Sequence, residues 1–137
     1  MKAFIDTSAL LKKYVAEPGS DKFVSFLQEV SEITVSPITK LEFHAATQRC
    51  VNQKLLTSSQ AQSIQTQANR DFDYFHIVIW NGSLEKKGIE LVKKYALRSL
   101  DAIQLAAVVL SGADIFVTSD KFLYTIAGRE WKKVKLF

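Results

Sequence analysis

Two aspartates follow short apolar runs of the kind that form buried strands. Asp6 comes directly after Ala3–Ile5, and Asp120 follows Ile115–Thr118 with one residue between them. Open parallel sheets bind ligands at the carboxyl ends of their strands, so acidic residues in those turns are the first candidates for chemistry. We therefore expect the two carboxylates to converge at one end of a sheet.

Two further carboxylates belong to helical patterns. At 100° per residue, Glu42 lies beside an apolar stripe formed by Ile38, Leu41 and Ala45, which points its side chain at the margin of the core. Asp101 stands in the first turn of an apolar helix that has almost no other polar side chain. Both positions are candidates for a buried acidic site.

Each carboxylate also has a purely structural interpretation. Asp6 and Asp120 could cap the helices that follow them, because aspartate is a favoured N-cap residue. Asp101 could favour the positive end of its helix, which contributes roughly 0.3–1 kcal/mol, and Glu42 could pair with Arg49 on the same helical side. The joint pattern is harder to explain, because two close carboxylates repel by about 4 kcal/mol at an effective dielectric constant of about 20. Such a cluster must be offset by a cation or by raised pKa values.

The donor set predicts the kind of cation. Carboxylate oxygens without a nearby histidine or cysteine suit a hard ion, Mg²⁺ or Mn²⁺, that retains several waters. His44 and His76 are far apart in sequence, and no two-histidine zinc motif exists. Glycine-rich nucleotide loops and the serine-hydrolase motif are also absent. The single cysteine, Cys50, permits no internal disulfide and fits a reducing cytoplasm.

The balance of charge is a second indication of function. Eighteen basic and 14 acidic residues give a net charge of +4, and if four carboxylates form one pocket the remaining ten leave +8 on the rest of the molecule. A metal-loading acidic pocket within a basic surface suits hydrolysis of a phosphodiester in nucleic acid. A solvated lysine face explains any one of these basic residues equally well. The residues predicted to form a basic rim that contacts the nucleic-acid backbone are Lys12, Lys13, Lys86, Lys87, Lys93, Lys94 and Arg98.

Strand-like and helix-like segments alternate along the whole chain. Such alternation, with connections too long for hairpins, predicts a parallel α/β sheet. The predicted strands cover residues 3–5, 33–35, 74–80, 115–118 and 133–136. The third is continuously apolar, as if covered on both faces, and the last alternates like an exposed edge strand. The predicted helices cover residues 9–14, 20–30, 37–52, 58–72, 82–96, 99–112 and 120–127, with Gly112 and Gly128 ending the last two.

Length and composition bound the class of protein. A chain of 137 residues is close to one ordinary domain, which argues against a two-domain enzyme with an interdomain cleft. The run Leu105–Leu110 is far shorter than the roughly twenty residues of a membrane span, and the N-terminus lacks the features of an export signal. We expect one cytoplasmic domain over residues 1–137 that does not enter a membrane.

Four motifs, in this order, resemble those of a known family. They are FIDTSALLKKYVAEPGSDKF at the start, then SPITKLEF, LRSLDAIQLAA and FVTSDKFL. On these motifs the whole chain resembles the PIN-domain ribonucleases, and most closely the small VapC-type toxins of prokaryotic toxin–antitoxin pairs. The resemblance implies a three-layer α/β/α sandwich with a mainly parallel central sheet, and a Mg²⁺- or Mn²⁺-dependent endoribonuclease.

The resemblance also implies roles for individual residues and for partners. Some relatives carry a further aspartate where this chain has Phe122, which leaves the choice between one and two metal ions open. A homodimer and a cognate antitoxin that inserts a segment into or near the site are also implied. The acidic positions implied to be catalytic and metal-binding are Asp6, Glu42, Asp101 and Asp120, and the polar positions that orient carboxylates or water are Thr7, Ser8, Thr118 and Ser119.

The leading hypothesis is cleavage of structured RNA, of the tRNA or rRNA class, by the toxin of a type II toxin–antitoxin pair. In this hypothesis Asp6 and Asp101 bind the principal metal ion, Asp120 completes its shell, and Glu42 positions or deprotonates the attacking water. The alternative is a catalytically silent PIN-like module that binds RNA or a protein. A DNA nuclease of the flap-cleaving type is a second alternative, for which the chain is short.

Overall fold

The computed structural model describes residues 1–137 and contains five strands and seven α-helices. The strands are β1 (Lys2–Ile5), β2 (Glu32–Val35), β3 (His76–Ile77), β4 (Ile115–Thr118) and β5 (Val134–Leu136). The helices are α1 (Thr7–Leu10), α2 (Ser20–Leu27), α3 (Thr39–Asn52), α4 (Ser58–Phe72), α5 (Gly82–Tyr95), α6 (Ser99–Ser111) and α7 (Lys121–Glu130), and a 3₁₀ turn, Leu11–Lys13, follows α1. None of these helices combines the length and the apolar character needed to cross a membrane.

The five strands form one sheet in the order β3–β2–β1–β4–β5, and every neighbouring pair is parallel. Each connection between consecutive strands contains at least one helix, as parallel pairing requires. The predicted parallel sheet is confirmed. Because β1 lies at its centre, the turn after β1 is surrounded by neighbouring elements.

Alternation of side chains along the strands sends apolar residues to both faces of the sheet. Phe4 and Phe116 belong to the core that α5, α6 and α7 cover. Ile5 and Val117, one residue further along each strand, belong to the core that α1 to α4 cover. A helical layer on each face makes the three-layer α/β/α sandwich that the family resemblance implied.

Helix boundaries follow capping chemistry. The side chains of Asp6, Thr57, Asn81 and Asp120 each accept a backbone N–H in the first turn of a helix, which satisfies donors that have no partner within the helix. Gly112 ends α6 as predicted, with φ of 69° in the left-handed region that favours glycine.

The predicted strand over residues 74–80 is wrong in both length and environment. Only His76 and Ile77 pair with β2, and they form a strand at the edge of the sheet. Both residues are exposed. Tyr74 and Ile79 are 88% and 76% exposed. An outermost strand has a neighbour on one side only, and an apolar run by itself does not reveal the position of a strand in the sheet.

The side of α3 predicted to face the core is also wrong. Leu41 is 73% exposed and Ala45 is exposed, whereas Phe43 and Ala46 are buried against the sheet and α4. The helix carries apolar residues on two sides, so its pattern left its rotation undetermined. Burial of the large Phe43 ring outweighs burial of Ala45, since hydrophobic stabilisation grows with the apolar area removed from water.

Several helix boundaries differ from the prediction: α1 is Thr7–Leu10 rather than 9–14, and α2 ends at Leu27 rather than at residue 30. α3 begins at Thr39 rather than at Pro37, because Pro37 lies in a turn closed by the N–H of Thr39 and the carbonyl of Ser36 at 3.2 Å. α7 does not end at Gly128 but continues to Glu130, and the φ of Gly128 is not positive. A glycine within the right-handed region prolongs a helix instead of ending it.

Candidate active site

Asp6 and Asp120 lie at the carboxyl ends of two neighbouring strands, β1 and β4. Ile5 is opposite Val117 in this pair, and the N–H of Asp6 donates to the carbonyl of Val117 at 3.1 Å. Since β2 flanks β1 on its other side, the strand order reverses direction at this point. The crevice at such a switch point is the usual ligand site of an open α/β sheet.

The carboxylate of Asp6 is held by three donors. Oδ2 accepts from the hydroxyl of Thr118 at 2.7 Å, and Oδ1 accepts from the hydroxyl of Ser8 at 2.8 Å and from the N–H of Ala9 at 3.0 Å. The residue is only 4% exposed. Burial, with a smaller contribution from the charge of Asp120, raises the pKa of Asp6 to about 6 against the opposing effect of these hydrogen bonds.

Hydroxyl groups connect Asp6 to the start of α7. The N–H of Ser119 donates to the hydroxyl oxygen of Ser8 at 2.9 Å, and the N–H of Asp120 donates to that of Thr118 at 3.0 Å. Oδ1 of Asp120 accepts from the N–H of Leu123 at 2.9 Å. The Ser119 hydroxyl is buried and has no partner. Three of the four polar residues proposed to orient the site therefore lie in one network around Asp6.

Glu42, in the first turn of α3, is fixed through one carboxylate oxygen. Oε1 accepts from the hydroxyl of Thr7 at 2.8 Å and from Nε2 of Gln104 at 2.6 Å. Neither of these hydrogen bonds uses Oε2. The alternative in which Glu42 pairs with Arg49 is not observed, because Arg49 is exposed and forms no ion pair. The half-buried Glu42 side chain is satisfied instead by neutral donors from α1 and α6.

Asp101 lies in the electrostatic field of two other acidic residues. It occupies the first turn of α6 and is half-buried. Burial raises the pKa of Asp101, and the negative charges of Asp120 and Glu42 raise it further, while Arg98 lowers it. Asp120 also raises the pKa of Asp6. Pairwise repulsion thus links the four acidic residues, Asp6 to Asp120, Asp120 to Asp101 and Asp101 to Glu42.

Gln104 is a residue of this site that the sequence reasoning missed. It lies three residues after Asp101 in α6, on nearly the same side of the helix, and is 3% exposed. Its Nε2 also lies 3.2 Å from the hydroxyl oxygen of Thr7. The signal was present in the sequence, because Gln104 is the only polar residue between Asp101 and Ser111.

The donor chemistry of the site suits a hard divalent cation. All four charged groups are carboxylates, and hydroxyl and amide groups surround them, which is the ligand class of Mg²⁺ and Mn²⁺. No three acidic, histidine or cysteine side chains are grouped closely enough to hold an ion as the structure stands. Burial first, and neighbouring carboxylates second, raise the pKa values of Asp6 and Asp101, and a bound cation would oppose both effects. The residues therefore fit such an ion in donor type and in charge.

The predicted basic rim is only partly present at the surface. Assignment of Lys12 to it is wrong, because Lys12 is 8% exposed and its ammonium donates to the carbonyl of Pro18 at 2.6 Å, with Glu17 at 3.6 Å. Among the others, three lysines form ion pairs, namely Lys13 with Asp71, Lys87 with Glu90 and Lys94 with Glu130. The residues that are exposed and form no ion pair are Lys86, Lys93 and Arg98.

Comparison with known proteins settles the family. The family model described as PIN domain matches residues 3–129, which is nearly the whole chain. The chain belongs to the PIN domain family. This PIN domain includes all four acidic residues in the matched range, and only β5 lies beyond it. A search of curated proteins found no match.

Solved structures share the fold of this PIN domain at low sequence identity. VapBC2 from Rickettsia felis, solved with a promoter DNA fragment, is 13% identical with a TM-score of 0.69, covering 99% of this chain and 98% of that chain. FitAcB from Neisseria gonorrhoeae is 12% identical with a TM-score of 0.70, covering 96% and 95%. VapC20 from Mycobacterium tuberculosis, described as a sarcin–ricin loop cleaving toxin, is 15% identical with a TM-score of 0.66, covering 90% and 93%. The likeness to PIN domains of toxin–antitoxin systems is confirmed at the level of fold.

Proposed function

We propose that this PIN domain is a divalent-metal-dependent endoribonuclease. PIN domains are generally nucleases, and one observation on this chain carries the proposal. Asp101 shares its surroundings with Asp120 and Glu42, and Asp120 with the buried Asp6. Mutual repulsion of this kind lowers folding stability. A bound cation would offset the repulsion and so accounts for the cluster, which helix capping alone does not.

The four acidic residues have different roles in the proposed hydrolysis. A bound Mg²⁺ or Mn²⁺ would neutralise phosphate charge and lower the pKa of the attacking water. Asp6 and Asp101 would hold the ion and Asp120 would complete its surroundings. Glu42, with Oε1 occupied by two donors, would present Oε2 to the attacking water and accept its proton.

The proposed substrate is structured RNA of the tRNA or rRNA class. Arg98 is exposed beside Asp101, and Lys86 is exposed on α5, so both are available to phosphate groups. One protein of the same fold is described as cleaving an RNA loop. An RNA substrate of this class also fits the expected cytoplasmic location.

We further propose an antitoxin as the partner of this domain. VapBC2 and a toxin–antitoxin complex from Klebsiella pneumoniae have the same fold, at 13% and 18% identity. On this basis the chain would be the toxin of a type II pair. The antitoxin would block the acidic site or the approach of RNA to it.

A homodimer through an α5–α6 groove is the third part of the proposal. This groove, of about 340 Å³, is lined by Trp80, Ile89, Val92 and Ile103, with Glu85 and Lys93 also in its wall. Ile89 lies midway between Glu85 and Lys93 in sequence, and neither charged residue has an ion-pair partner within the chain. A two-fold axis near Ile89 would therefore place Glu85 of each copy against Lys93 of the other, as an isologous interface requires.

Cleavage assays on purified protein test the nuclease. With Mg²⁺ or Mn²⁺ the protein should cut tRNA or rRNA and leave single-stranded DNA intact, and Asp6→Asn and Asp101→Asn should abolish cutting. Asp73→Asn, at an exposed aspartate on the far end of α4, is the matched control and should cut normally. Undiminished cutting by both site variants would contradict the assignment. Metal-independent RNA binding without cutting would support the silent module instead.

A further inference from the structure

Folding does not require a polar side chain at the position of Gln104. It is the one uncharged amide buried among the acidic residues, and it comes from the otherwise apolar stretch of α6. The carboxylate of Glu42 accepts hydrogen bonds only, so the group that Gln104 turns toward it must be the NH₂ rather than the carbonyl. The 2.6 Å contact with Glu42 therefore determines the orientation of the amide.

This orientation leaves the other end of the amide without a partner. Oε1 of Gln104 is buried and accepts no hydrogen bond. A buried acceptor without a donor costs about 1–3 kcal/mol, and an apolar residue of similar volume would avoid that cost. The unpaired oxygen points to a donor that arrives when the site is occupied, and a water molecule beside Glu42 is a donor of suitable size.

We propose that Gln104 is a positioning residue for the reaction, an inference that rests on the nuclease function proposed above. Its Nε2 and the hydroxyl of Thr7 hold Oε1 of Glu42 from two different helices and leave Oε2 free of both hydrogen bonds. Its own Oε1 accepts a hydrogen bond from the water that Glu42 orients. Gln104 thereby aligns the base and the attacking water without touching the RNA.

Kinetics of Gln104→Met, which keeps the volume and removes both polar ends, test this role. We expect kcat for RNA cleavage to fall by about 10–100-fold, as for other residues that orient a metal-site ligand, with KM changed by less than about twofold. The matched control is Gln65→Met, which removes a glutamine-to-threonine hydrogen bond of 2.8 Å between α4 and α3, away from the site. It should leave kcat unchanged.

Two further measurements separate positioning from folding. In a Glu42→Gln background, Gln104→Met should cause little additional loss of kcat, because Gln104 acts on Glu42 and on the water that Glu42 orients. The Kd for Mn²⁺, followed by electron paramagnetic resonance of the free ion, should stay within about twofold of the wild-type value in both Gln104→Met and Gln65→Met, because Asp6, Asp101 and Asp120 hold the ion. If Gln104→Met does not fold, Thr7→Val removes the other donor to the same oxygen and should give the same kinetic pattern.

The outcomes distinguish this inference from the function on which it rests. A wild-type protein that cuts no RNA contradicts the nuclease proposal itself. If Gln104→Met has the same kcat as the wild type, only the role of Gln104 is overturned. The same conclusion follows if Gln104→Met lowers kcat equally in the wild-type and Glu42→Gln backgrounds. A Gln104→Met loss accompanied by an equal loss in Gln65→Met would indicate a general packing defect and would also overturn it.

Discussion

Thr118 donates its hydroxyl to Oδ2 of Asp6 at 2.7 Å, although 112 residues separate the two in sequence. The parallel pairing of β1 with β4 produces this contact, because Asp6 directly follows β1 and Thr118 is the last residue of β4. The same hydroxyl oxygen accepts the N–H of Asp120. One buried threonine thus links two of the four acidic residues.

Substitution of Thr118 should impair the site without unfolding the protein. Thr118→Val keeps the shape, removes a donor to Asp6 and leaves the N–H of Asp120 without its acceptor. We expect kcat for RNA cleavage to fall by about 10–100-fold, and the pKa of Asp6 to rise above its value of about 6, because a hydrogen bond that lowers it is lost. Thr118→Ser, which retains the hydroxyl, should stay within about threefold of wild type.

Asp6→Asn should stabilise the metal-free protein at neutral pH. The pKa of Asp6 is raised to about 6 by burial, so the folded state holds a proton that the unfolded state has lost. Wild-type stability should therefore fall as pH rises from about 4 to about 6, and then stay level. Asparagine carries no charge and is an equally good N-cap, so the variant should gain up to about 3 kcal/mol at pH 7.5. Urea denaturation at pH 4 and pH 7.5 measures the difference, and an Asp6→Asn variant no more stable than wild type at pH 7.5 would contradict this prediction.

Asp71→Asn should have the opposite dependence on pH. Burial would raise the pKa of Asp71, but hydrogen bonds from Lys13 and Tyr14, each 2.6 Å long, outweigh it and leave the pKa below its usual value. The stabilisation is present at neutral pH and is lost as pH falls through that lowered pKa. We expect the variant to lose about 1 kcal/mol at pH 7, a figure discounted for the partial exposure of the pair. At pH 2.5 the two proteins should melt within about 1 °C of each other.

Lys12 and Arg98 should differ in their effect on RNA. Lys12→Met breaks a buried contact to the Pro18 carbonyl and should lower the melting temperature while RNA affinity stays unchanged. Arg98→Gln removes an exposed charge beside Asp101 and should weaken RNA binding uniformly across sequences, with a reduced dependence of Kd on salt. Fluorescence anisotropy in Ca²⁺ at several salt concentrations measures the RNA affinity of both variants. Weaker binding by a folded Lys12→Met would restore Lys12 to the basic rim.

A charge exchange in the α5–α6 groove tests the dimer. Glu85→Lys should weaken self-association because it would face Lys93 of the second copy, and the double variant Glu85→Lys/Lys93→Glu should restore it. Ile89→Asp, at the proposed axis, should abolish it. Light scattering coupled to gel filtration reports the mass directly. A wild-type protein that remains monomeric at high concentration would exclude this interface.

The sequence by itself determined much of the fold and the positions of the four carboxylates. Short apolar runs alternating with capped helical patterns specify parallel strands and crossover helices, because each signal is local in the chain. Gly112 and the caps at Asp6, Thr57, Asn81 and Asp120 belong to this class. The motif order was enough to indicate the PIN family, which the match over residues 3–129 confirms.

Tertiary structure alone decided which groups touch. Periodicity did not show that α3 buries Phe43 and exposes Leu41, or that β3 lies at the edge of the sheet, because both depend on neighbours distant in sequence. The partner of Glu42 is Gln104 rather than Arg49, since the fold brings these two side chains within hydrogen-bond distance across 62 residues of chain. Lys12 is buried, and its ammonium donates to the carbonyl of Pro18 in the turn that follows it. The sequence shows where a charged residue lies along the chain, but three-dimensional packing determines which groups it contacts.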